Sequence, residues 1–269
     1  MAQPMSRPSP VVLPRSGGDI IIRQFHPKDA DQVHALLIEG LVYGPESPHN
    51  TAQARNLYSR ISCLAYFGCA LGLWCLCSRN IVLRISGGAL TLGAAALFIY
   101  MRRSITKMFV DFCANARATD MADICHSYEV PLPVDGVQAP VPQGPAGFWV
   151  AAIESPESKT SEVVGYLGLD YRGGATAISD PSTGELRRMI VSMNHRRRKI
   201  GSLLMTAAMD HARRHMPPLE TLDLETSEFQ PGARKLYEKH GFSFVGKRTL
   251  RSSPLFSMAV LRFRRRILD

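Results

Sequence analysis

The chain has 269 residues, of which 45% are hydrophobic and 20% are charged. This composition is ordinary for folded proteins, so extensive disorder, collagen and coiled coil are excluded. The 32 Lys and Arg residues outnumber the 23 Asp and Glu residues and give a formal net charge of +9. An anionic partner is therefore expected, and nucleic acid, an acidic membrane surface or a phosphorylated ligand would each satisfy that expectation.

The cysteine pattern argues against a metal site. All six cysteines lie within the first 125 residues, and Cys75 and Cys77 are separated by a single residue. The sequence has no pair of His or Cys at the spacing of a zinc site. No metal is therefore expected.

The first segment predicts a leader followed by a strand and a helix. Residues 1–18 are rich in Pro, Ser and Gly and contain no long apolar run, which is typical of a disordered leader. A strand follows over 20–25, and apolar residues at helical spacing begin after Pro27. Residues 19–57 are therefore expected to supply the first strand and helix of a folded domain.

Two uncharged apolar runs at 61–77 and 85–101 predict a helical hairpin over 58–104. Each run would be about 26 Å long as a helix, slightly shorter than the roughly 30 Å hydrocarbon core of a membrane. Glycines in both runs permit close packing, and only a short polar segment connects them. The alternative is a pair of buried helices in a soluble core.

Positive charges around the hairpin are distributed unevenly. Its two ends are flanked by Arg55, Arg60, Arg102, Arg103 and Lys107. Only Arg79 and Arg84 lie near the turn. Because both ends of a hairpin emerge on the same side of the membrane, the positive-inside rule predicts that the rest of the chain faces the cytosol.

Residues 105–147 are expected to form an amphipathic helix and a linker. Apolar residues from Ile105 to Ala116 repeat at helical spacing and would lie against lipid or core. A Pro- and Gly-rich linker follows at 134–147.

Residues 148–269 are expected to form a compact core. The segments 148–152 and 163–169 predict two antiparallel strands, and 185–191 predicts a third. A last strand over 255–262 leads into a basic tail at 263–266. That tail would either rest on an anionic membrane surface or stay solvated.

The strand at 185–191 runs into a basic loop, from His195 to Ser202, which precedes an apolar-faced helix. Unpaired backbone N–H groups at a helix N-terminus, surrounded by cations, form an anion site suited to a pyrophosphate. The same basic run would also suit a nucleic-acid or nuclear-import patch.

The sequence after this helix resembles the GNAT acetyltransferase superfamily. A strand over 222–226 precedes a helix that contains the segment A-x-x-LYEKHGF, which begins at Ala233. The superfamily's phosphate loop, Arg/Gln-x-x-Gly-x-Gly/Ala, is matched by Arg196 and Gly201, with Lys199 where the first glycine is usual. A lysine there restricts the backbone conformations that a glycine would allow.

A narrower resemblance covers roughly residues 19–250. The segments 119–124 and 148–151, together with a hairpin inserted after the first helix, look like the camello-like membrane N-acetyltransferases. These include cysteine-S-conjugate and aspartate N-acetyltransferases. The resemblance implies a mixed α/β (α+β) fold, with a central sheet flanked by helices and an inserted hydrophobic hairpin. It also implies that acetyl-CoA is the co-substrate and that the lipid bilayer is a partner.

The resemblance also implies roles for particular residues. Acetyl-CoA would lie across a V-shaped gap at the end of the central strand. The cofactor-binding residues would be Met189, Ile190, Val191, Arg196, Arg198, Lys199, Ile200, Gly201 and Ser202. Tyr237 matches a tyrosine near the CoA sulfur and is expected to act as general acid. Glu185 is the first choice for the base, with Asp223 and Glu225 as alternatives.

The expected function is acetyl-CoA-dependent N-acetylation of a small amino compound, an amino acid or an S-conjugate. The expected cellular location is the endoplasmic reticulum membrane, with the catalytic domain facing the cytosol. A mitochondrial membrane is the alternative location. Arg187 and Arg188 near the gap would suit an acidic acceptor. The sequence does not indicate an oligomeric state.

Three other functions remain open. One is a protein lysine acetyltransferase of the secretory pathway, which requires the catalytic half in the lumen and so contradicts the charge asymmetry. Another is a catalytically weak acyl-CoA-binding membrane protein, which Lys199 motivates. A nucleic-acid binder would leave the hairpin unexplained, so no nucleic acid is expected as a partner.

Overall fold

The computed structural model describes residues 12–13, 19–131, 144–154, 161–171, 182–215 and 218–268. The strands are β1 (Val12–Leu13), β2 (Ile20–Gln24), β3 (Gly147–Glu154), β4 (Ser161–Asp170), β5 (Thr183–Val191), β6 (Thr221–Ser227), β7 (Ser243–Ser253) and β8 (Phe256–Arg266). The α-helices are α1 (Ala30–Ile38), α2 (Pro48–Asn56), α3 (Arg60–Leu76), α4 (Ile81–Ala118), α5 (Ile124–Ser127), α6 (Ile200–Arg214) and α7 (Pro231–Lys239). Apart from β1, the predicted leader lies outside the described residues, as does most of the predicted linker.

The eight strands form one sheet in the order β1-β2-β3-β4-β5-β6-β8-β7. Neighbouring strands are antiparallel except for β5 and β6, which run parallel. The predicted mixed α/β fold is therefore confirmed. The predicted pairing of the two strands after residue 147 is also correct, since β3 and β4 are antiparallel.

Helices cover both faces of the sheet. Successive residues of β3 alternate between two cores, with Phe148 and Val150 in one and Trp149 and Ala151 in the other. The first core includes α1 and the second half of α4. The second includes the apolar face of α6 and Tyr237 of α7. The central strands are therefore packed against a hydrophobic core on each face of the sheet.

Helices α3 and α4 pack as a hairpin at the predicted position. At their crossing, a Cβ added to Gly72 would come within 2.6 Å of the Gly87 carbonyl oxygen, so only glycines allow this approach. Large apolar side chains such as Phe67, Trp74 and Leu92 are exposed on the hairpin. Such exposure is costly in water and indicates a nonaqueous or protein environment.

Helix α4 is longer than the sequence predicts. The second apolar run and the amphipathic segment form one continuous 38-residue helix, so the expected boundary at residue 104 falls inside it. Of the described helices, α4 alone is long and apolar enough to cross a membrane, and 11% of its most apolar window is buried. The segment from Pro27 to Leu76 passes the same test only if its 49° bend is counted within one span.

The segment at 263–266 is not a tail. Strand β8 continues to Arg266 and pairs with β6 from Val260 to Arg266. Arg262 and Arg264 donate hydrogen bonds to the buried carboxylate of Asp223. The strand accommodates Arg264 because the Asp223 carboxylate on the neighbouring strand offsets its charge.

Candidate active site

Parallel strands β5 and β6 separate part-way along their length. They pair from Thr183 opposite Thr221 to Leu186 opposite Leu224, and no further pair follows although both strands continue. A gap therefore opens between the end of β5 and the end of β6. It lies at the end of β5, where the resemblance to GNAT acetyltransferases implies a V-shaped gap.

A bulge in β5 turns the strand at this gap. On β4, Tyr166 pairs with Ile190 and Gly168 pairs with Arg187, so β5 has one more residue than β4 in this interval. Arg188 has a positive φ of 56°. As a result Leu186 packs in the α6 core while Ile190 packs in the α4 core, although regular alternation would put both on the same face.

The gap leads into a cavity of about 100 Å³, enough for about three water molecules. Its lining residues include Leu41, Phe112, Arg188, Glu225, Gln230 and Tyr237. Glu225 follows Leu224, which packs in the α6 core, so Glu225 lies on the opposite face of the sheet from Tyr237. The cavity therefore connects a carboxylate on one face with a phenol on the other.

The basic loop from His195 to Ser202 follows β5 and runs into α6, which starts at Ile200. No side chain caps this helix, and the first N–H groups of a helix have no partner within it. Arg198 and Ser202 are partly exposed beside this terminus. The predicted residues Met189 and Ile190 line the cavity, and Val191 pairs with Gly165. The structure thus brings the predicted anion site next to the gap.

Arg196 and Gly201 of the predicted loop make different kinds of contact. Arg196 donates a hydrogen bond of 3.0 Å to Glu46, and the two side chains are 36% and 69% exposed. Gly201 lies against Leu236 and Met189, and an added Cβ would come within 3.1 Å of both. Gly201 therefore allows α6 to approach α7 and the end of β5 closely.

Lys199 adopts the conformation that a glycine would favour. It has φ of 62° and ψ of 9°, in the left-handed region. A side chain there costs roughly 1–2 kcal/mol. The loop therefore keeps the backbone shape of the glycine motif despite the substitution.

We expect Lys199→Gly to raise the melting temperature of the protein by about 2–4 °C, because glycine relieves this strain. The matched control is Lys235→Gly within α7, where glycine costs about 1 kcal/mol and should lower the melting temperature. Differential scanning fluorimetry of both variants measures the two shifts. A fall for Lys199→Gly would show that the lysine is not strained.

The three candidate bases occupy different environments. Glu225 lies on the cavity wall, held by Arg248 through hydrogen bonds as short as 2.6 Å. Glu185 is buried at 3% exposure, with Arg187 4.0 Å away, and it is absent from the cavity lining. Asp223 is fully buried; burial opposes its ionisation, but Arg264 and Arg262 lower its pKa.

Tyr237 lies on the cavity wall and is 6% exposed. Burial raises the pKa of its phenol to about 12. The hydroxyl therefore stays protonated at neutral pH, as a proton donor requires.

An ion pair beside the gap has no counterpart among the sequence predictions. Arg188 donates two hydrogen bonds to Asp120, of 2.6 and 2.9 Å, and the Tyr128 hydroxyl donates a third of 2.5 Å. The Arg188 guanidinium also lies 5.2 Å from the Phe112 ring centre. Burial would raise the pKa of Asp120, but Arg188 and Tyr128 outweigh it and lower that pKa to about 2. The pair links the end of α4 to the bulge of β5.

Part of the sequence around this gap matches a known protein family. Residues 116–242 match the sequence model of the Acetyltransferase (GNAT) family. The chain contains a GNAT acetyltransferase domain. The matched residues include the β5 bulge, the basic loop and Tyr237, and thus contain the gap and both of its walls.

Two curated relatives resemble more than half of the chain, and they agree with the resemblance to camello-like proteins. The rat N-acetyltransferase 8F1 is 30% identical over 158 residues, which is 57% of this chain and 59% of that protein. The mouse probable N-acetyltransferase family 8 member 5 is 31% identical over 155 residues, or 56% of each chain. The alignments therefore span little more than half the length of these relatives.

A solved structure resembles the chain as well. The GNAT-family acetyltransferase from Staphylococcus aureus has 14% sequence identity and a TM-score of 0.47, covering 92% of this chain and 99% of that one.

The GNAT domain does not offer its two cleft arginines to an acidic acceptor. Arg188 is paired with Asp120, and Arg187 donates a 3.1 Å hydrogen bond to Asp170. Since both guanidinium groups already bind carboxylates of the chain, their presence gives no reason to expect an amino-dicarboxylate. Among the described residues, no group of three or more His, Cys, Asp or Glu side chains is placed to hold a metal ion.

Proposed function

We propose that the protein is a membrane-anchored N-acetyltransferase that moves the acetyl group of acetyl-CoA to the amine of a small amino compound, an amino acid or an S-conjugate. The observation that carries this proposal is the gap between β5 and β6, which leads into a cavity lined by Glu225 and Tyr237 from opposite faces of the sheet. The names of the two relatives, an N-acetyltransferase and a probable N-acetyltransferase, support it.

The α6 N-terminus is suited to the pyrophosphate of acetyl-CoA. Its unpaired N–H groups and the helix dipole favour an anion. Arg196, Arg198 and Lys199 add positive charge around it. Arg196 would exchange its exposed pair with Glu46 for a phosphate, and such an exposed pair is worth at most about 1 kcal/mol.

The two faces of the cavity suit the two proton transfers of the reaction. The amine must lose a proton to attack the thioester, and we assign that role to Glu225, directly or through a water molecule. The departing CoA thiolate must gain a proton, and we assign that role to Tyr237. Glu185, the first choice from sequence, is less well placed because it does not line the cavity.

The bulge would supply the donor for the developing oxyanion. It leaves Arg188 and Met189 without one-to-one partners on β4, so backbone N–H groups of this stretch are available to the thioester oxygen. Removing such a donor from an enzyme costs about 10²–10³ in kcat, so its placement matters as much as the base.

The membrane assignment is also a proposal. Its support is the exposed apolar surface of the α3–α4 hairpin and the length of α4. We place both hairpin ends on the cytosolic side of the endoplasmic reticulum membrane, because five positive residues flank them and two flank the turn. A mitochondrial membrane is the alternative location.

The rival functions make different predictions. A lysine acetyltransferase of the secretory pathway needs the catalytic half in the lumen. Protease protection of the C-terminus in sealed microsomes would therefore favour that rival, and its digestion would favour the cytosolic orientation. The weak acyl-CoA binder loses its main support, since Lys199 already adopts the left-handed backbone conformation.

The direct test is thiol release from acetyl-CoA by the purified, detergent-solubilised chain with a panel of free amino acids and cysteine S-conjugates. We expect release that depends on one class of amine. If no amine in the panel supports release above the rate without enzyme, the transferase function is wrong.

We expect Glu225→Gln to lower kcat by about 10²-fold or more, because the amine then loses its proton acceptor. Arg248→Met breaks the ion pair between Arg248 and Glu225 but keeps the Glu225 carboxylate. This variant should therefore retain most of kcat. Glu185→Gln should lower kcat much less than Glu225→Gln. Steady-state kinetics of the three variants decide the assignment, and the reverse ranking would return the role to Glu185.

A further inference from the structure

A second groove lies away from the proposed active site, between α2 and α4. It is open and has a volume of about 510 Å³. The α4 wall carries the cations Arg102, Arg103 and Lys107 together with Thr106, and the α2 wall carries His49 and Gln53. We call it the interfacial groove.

The position of the groove follows from the proposed membrane hairpin, on which this inference rests. Arg102 comes directly after the second apolar run. Tyr58 and Tyr100 flank the hairpin at this end and are 86% and 48% exposed. Tyrosine is enriched where a membrane meets water, so the groove lies at the depth of lipid headgroups.

Two of the three cations in the groove form no ion pair with the described residues. Lys107 binds Asp111 at 2.7 Å, which cancels one charge. The Arg102 guanidinium lies 5.8 Å from the Phe98 ring centre, and Phe98 carries no charge. Arg103 is exposed and forms no ion pair with the described residues. The groove therefore keeps about two positive charges for an anion.

The side-chain oxygen of Gln53, on the α2 wall, has no hydrogen-bond donor among the described residues. The Gln53 amide nitrogen donates to the Arg102 carbonyl at 3.0 Å and to the Thr106 hydroxyl at 3.1 Å. The side-chain oxygen is buried, and the residue is 7% exposed. Buried carbonyl oxygens normally accept a hydrogen bond. A hydroxyl group entering beside Gln53 would supply it.

We propose that the interfacial groove binds the headgroup of an anionic phospholipid that carries hydroxyl groups, such as phosphatidylglycerol or phosphatidylinositol. The phosphate lies against Arg102, Arg103 and Lys107, and a headgroup hydroxyl lies toward Gln53. The same cations would attract free phosphate, so the test must separate the two sources.

The test is native mass spectrometry of the full chain in neutral detergent, titrated with dioctanoyl phosphatidylglycerol, dioctanoyl phosphatidylcholine or inorganic phosphate. We expect one phosphatidylglycerol adduct, at least tenfold tighter than phosphatidylcholine. Equal binding of the two lipids would overturn the proposal. Displacement of the lipid by inorganic phosphate at equal concentration would overturn it in favour of a free-phosphate site.

Charge variants locate the site. Arg102→Gln, Arg103→Gln and Lys107→Gln together should weaken phosphatidylglycerol binding at least tenfold. The matched control replaces the exposed Lys235, Lys239 and Lys247 with Gln and should bind as the parent does. Equal loss in both triple variants would show that net charge, not the groove, attracts the lipid. Arg103→Gln alone should weaken binding about fivefold and serves if the triple variant does not fold.

Two further measurements on the same samples separate this inference from the proposed function. The groove variants should release thiol from acetyl-CoA at the parental rate. Absence of thiol release by the parent would refute the transferase but not the lipid site. Failure of the parent to float with phosphatidylcholine vesicles would refute the membrane hairpin, and the lipid site with it.

Discussion

Replacement of Tyr237 with Phe should lower kcat about 10²-fold or more and leave the KM for acetyl-CoA nearly unchanged. The phenol lies on the cavity wall, and burial raises its pKa to about 12, so it is protonated at neutral pH. Loss of a general acid typically costs 10²–10⁴ in rate. An effect on kcat with little effect on KM would indicate a contact made only in the transition state.

The control for this prediction is Tyr166→Phe. Tyr166 is fully buried in the α4 core, and its hydroxyl has no hydrogen-bond partner among the described residues. Tyr166→Phe also removes a phenolic oxygen, but at a position that does not line the cavity. The kcat of this variant should therefore stay near the parental value. Equal kcat values for both variants and the parent would mean that Tyr237 packs helix against sheet and transfers no proton.

Replacement of Asp120 with Ala should cost about 3–5 kcal/mol of stability, because it leaves Arg188 charged and without its partner at 8% side-chain exposure. For a chain of this size that corresponds to a fall in melting temperature of at least about 6 °C. We also expect kcat to fall, since Arg188 lies in the β5 bulge. Thermal unfolding and steady-state kinetics of one preparation measure both effects.

Two comparisons separate this pair from ordinary surface ion pairs. Asp210→Ala removes a partner of the exposed Arg213 and Arg214 and should change stability by less than about 1 kcal/mol. Asp120→Leu combined with Arg188→Met removes both charges and should regain most of the stability lost in Asp120→Ala. If the single Asp120 variant melts like the parent, the pair does not hold the bulge.

The Asp120 pair also predicts a dependence on pH. The folded-state pKa of Asp120 is lowered to about 2, below the roughly 3.9 of an unfolded chain. A depressed pKa stabilises the folded state above pH 4, and this contribution is lost as the pH falls toward 2. The melting-temperature gap between the parent and Asp120→Ala should therefore narrow between pH 5 and pH 2.5. A constant gap would contradict the assigned pKa.

Much of the fold was predictable because apolar patterns mark its elements directly. The strands β2 to β6 and the helix α7 fall where apolar runs and a glycine stop predict them. The continuity of α4 was not predicted, because an apolar run and an amphipathic pattern meet at Arg102 and Arg103. The signal that would have found it is the lack of any Pro or Gly between residues 94 and 118.

The site was predictable only where its residues are close in sequence. The basic loop and Tyr237 lie in contiguous motifs, and both are next to the gap. Asp120 and Arg188 lie 68 residues apart, and no glycine marks the positive φ of Arg188. The ranking of Glu225 above Glu185 depends on the point at which β5 and β6 separate, which no local pattern encodes.

The central claim is that the N-terminus of α6 and the gap beside it hold acetyl-CoA. Isothermal titration calorimetry of the detergent-solubilised full chain with acetyl-CoA tests it without knowledge of the acceptor. The account predicts saturable binding of one molecule per chain, weakened when Arg196 and Arg198 are both replaced with Gln. No heat of binding at any concentration, or binding unaffected by those replacements, would contradict it.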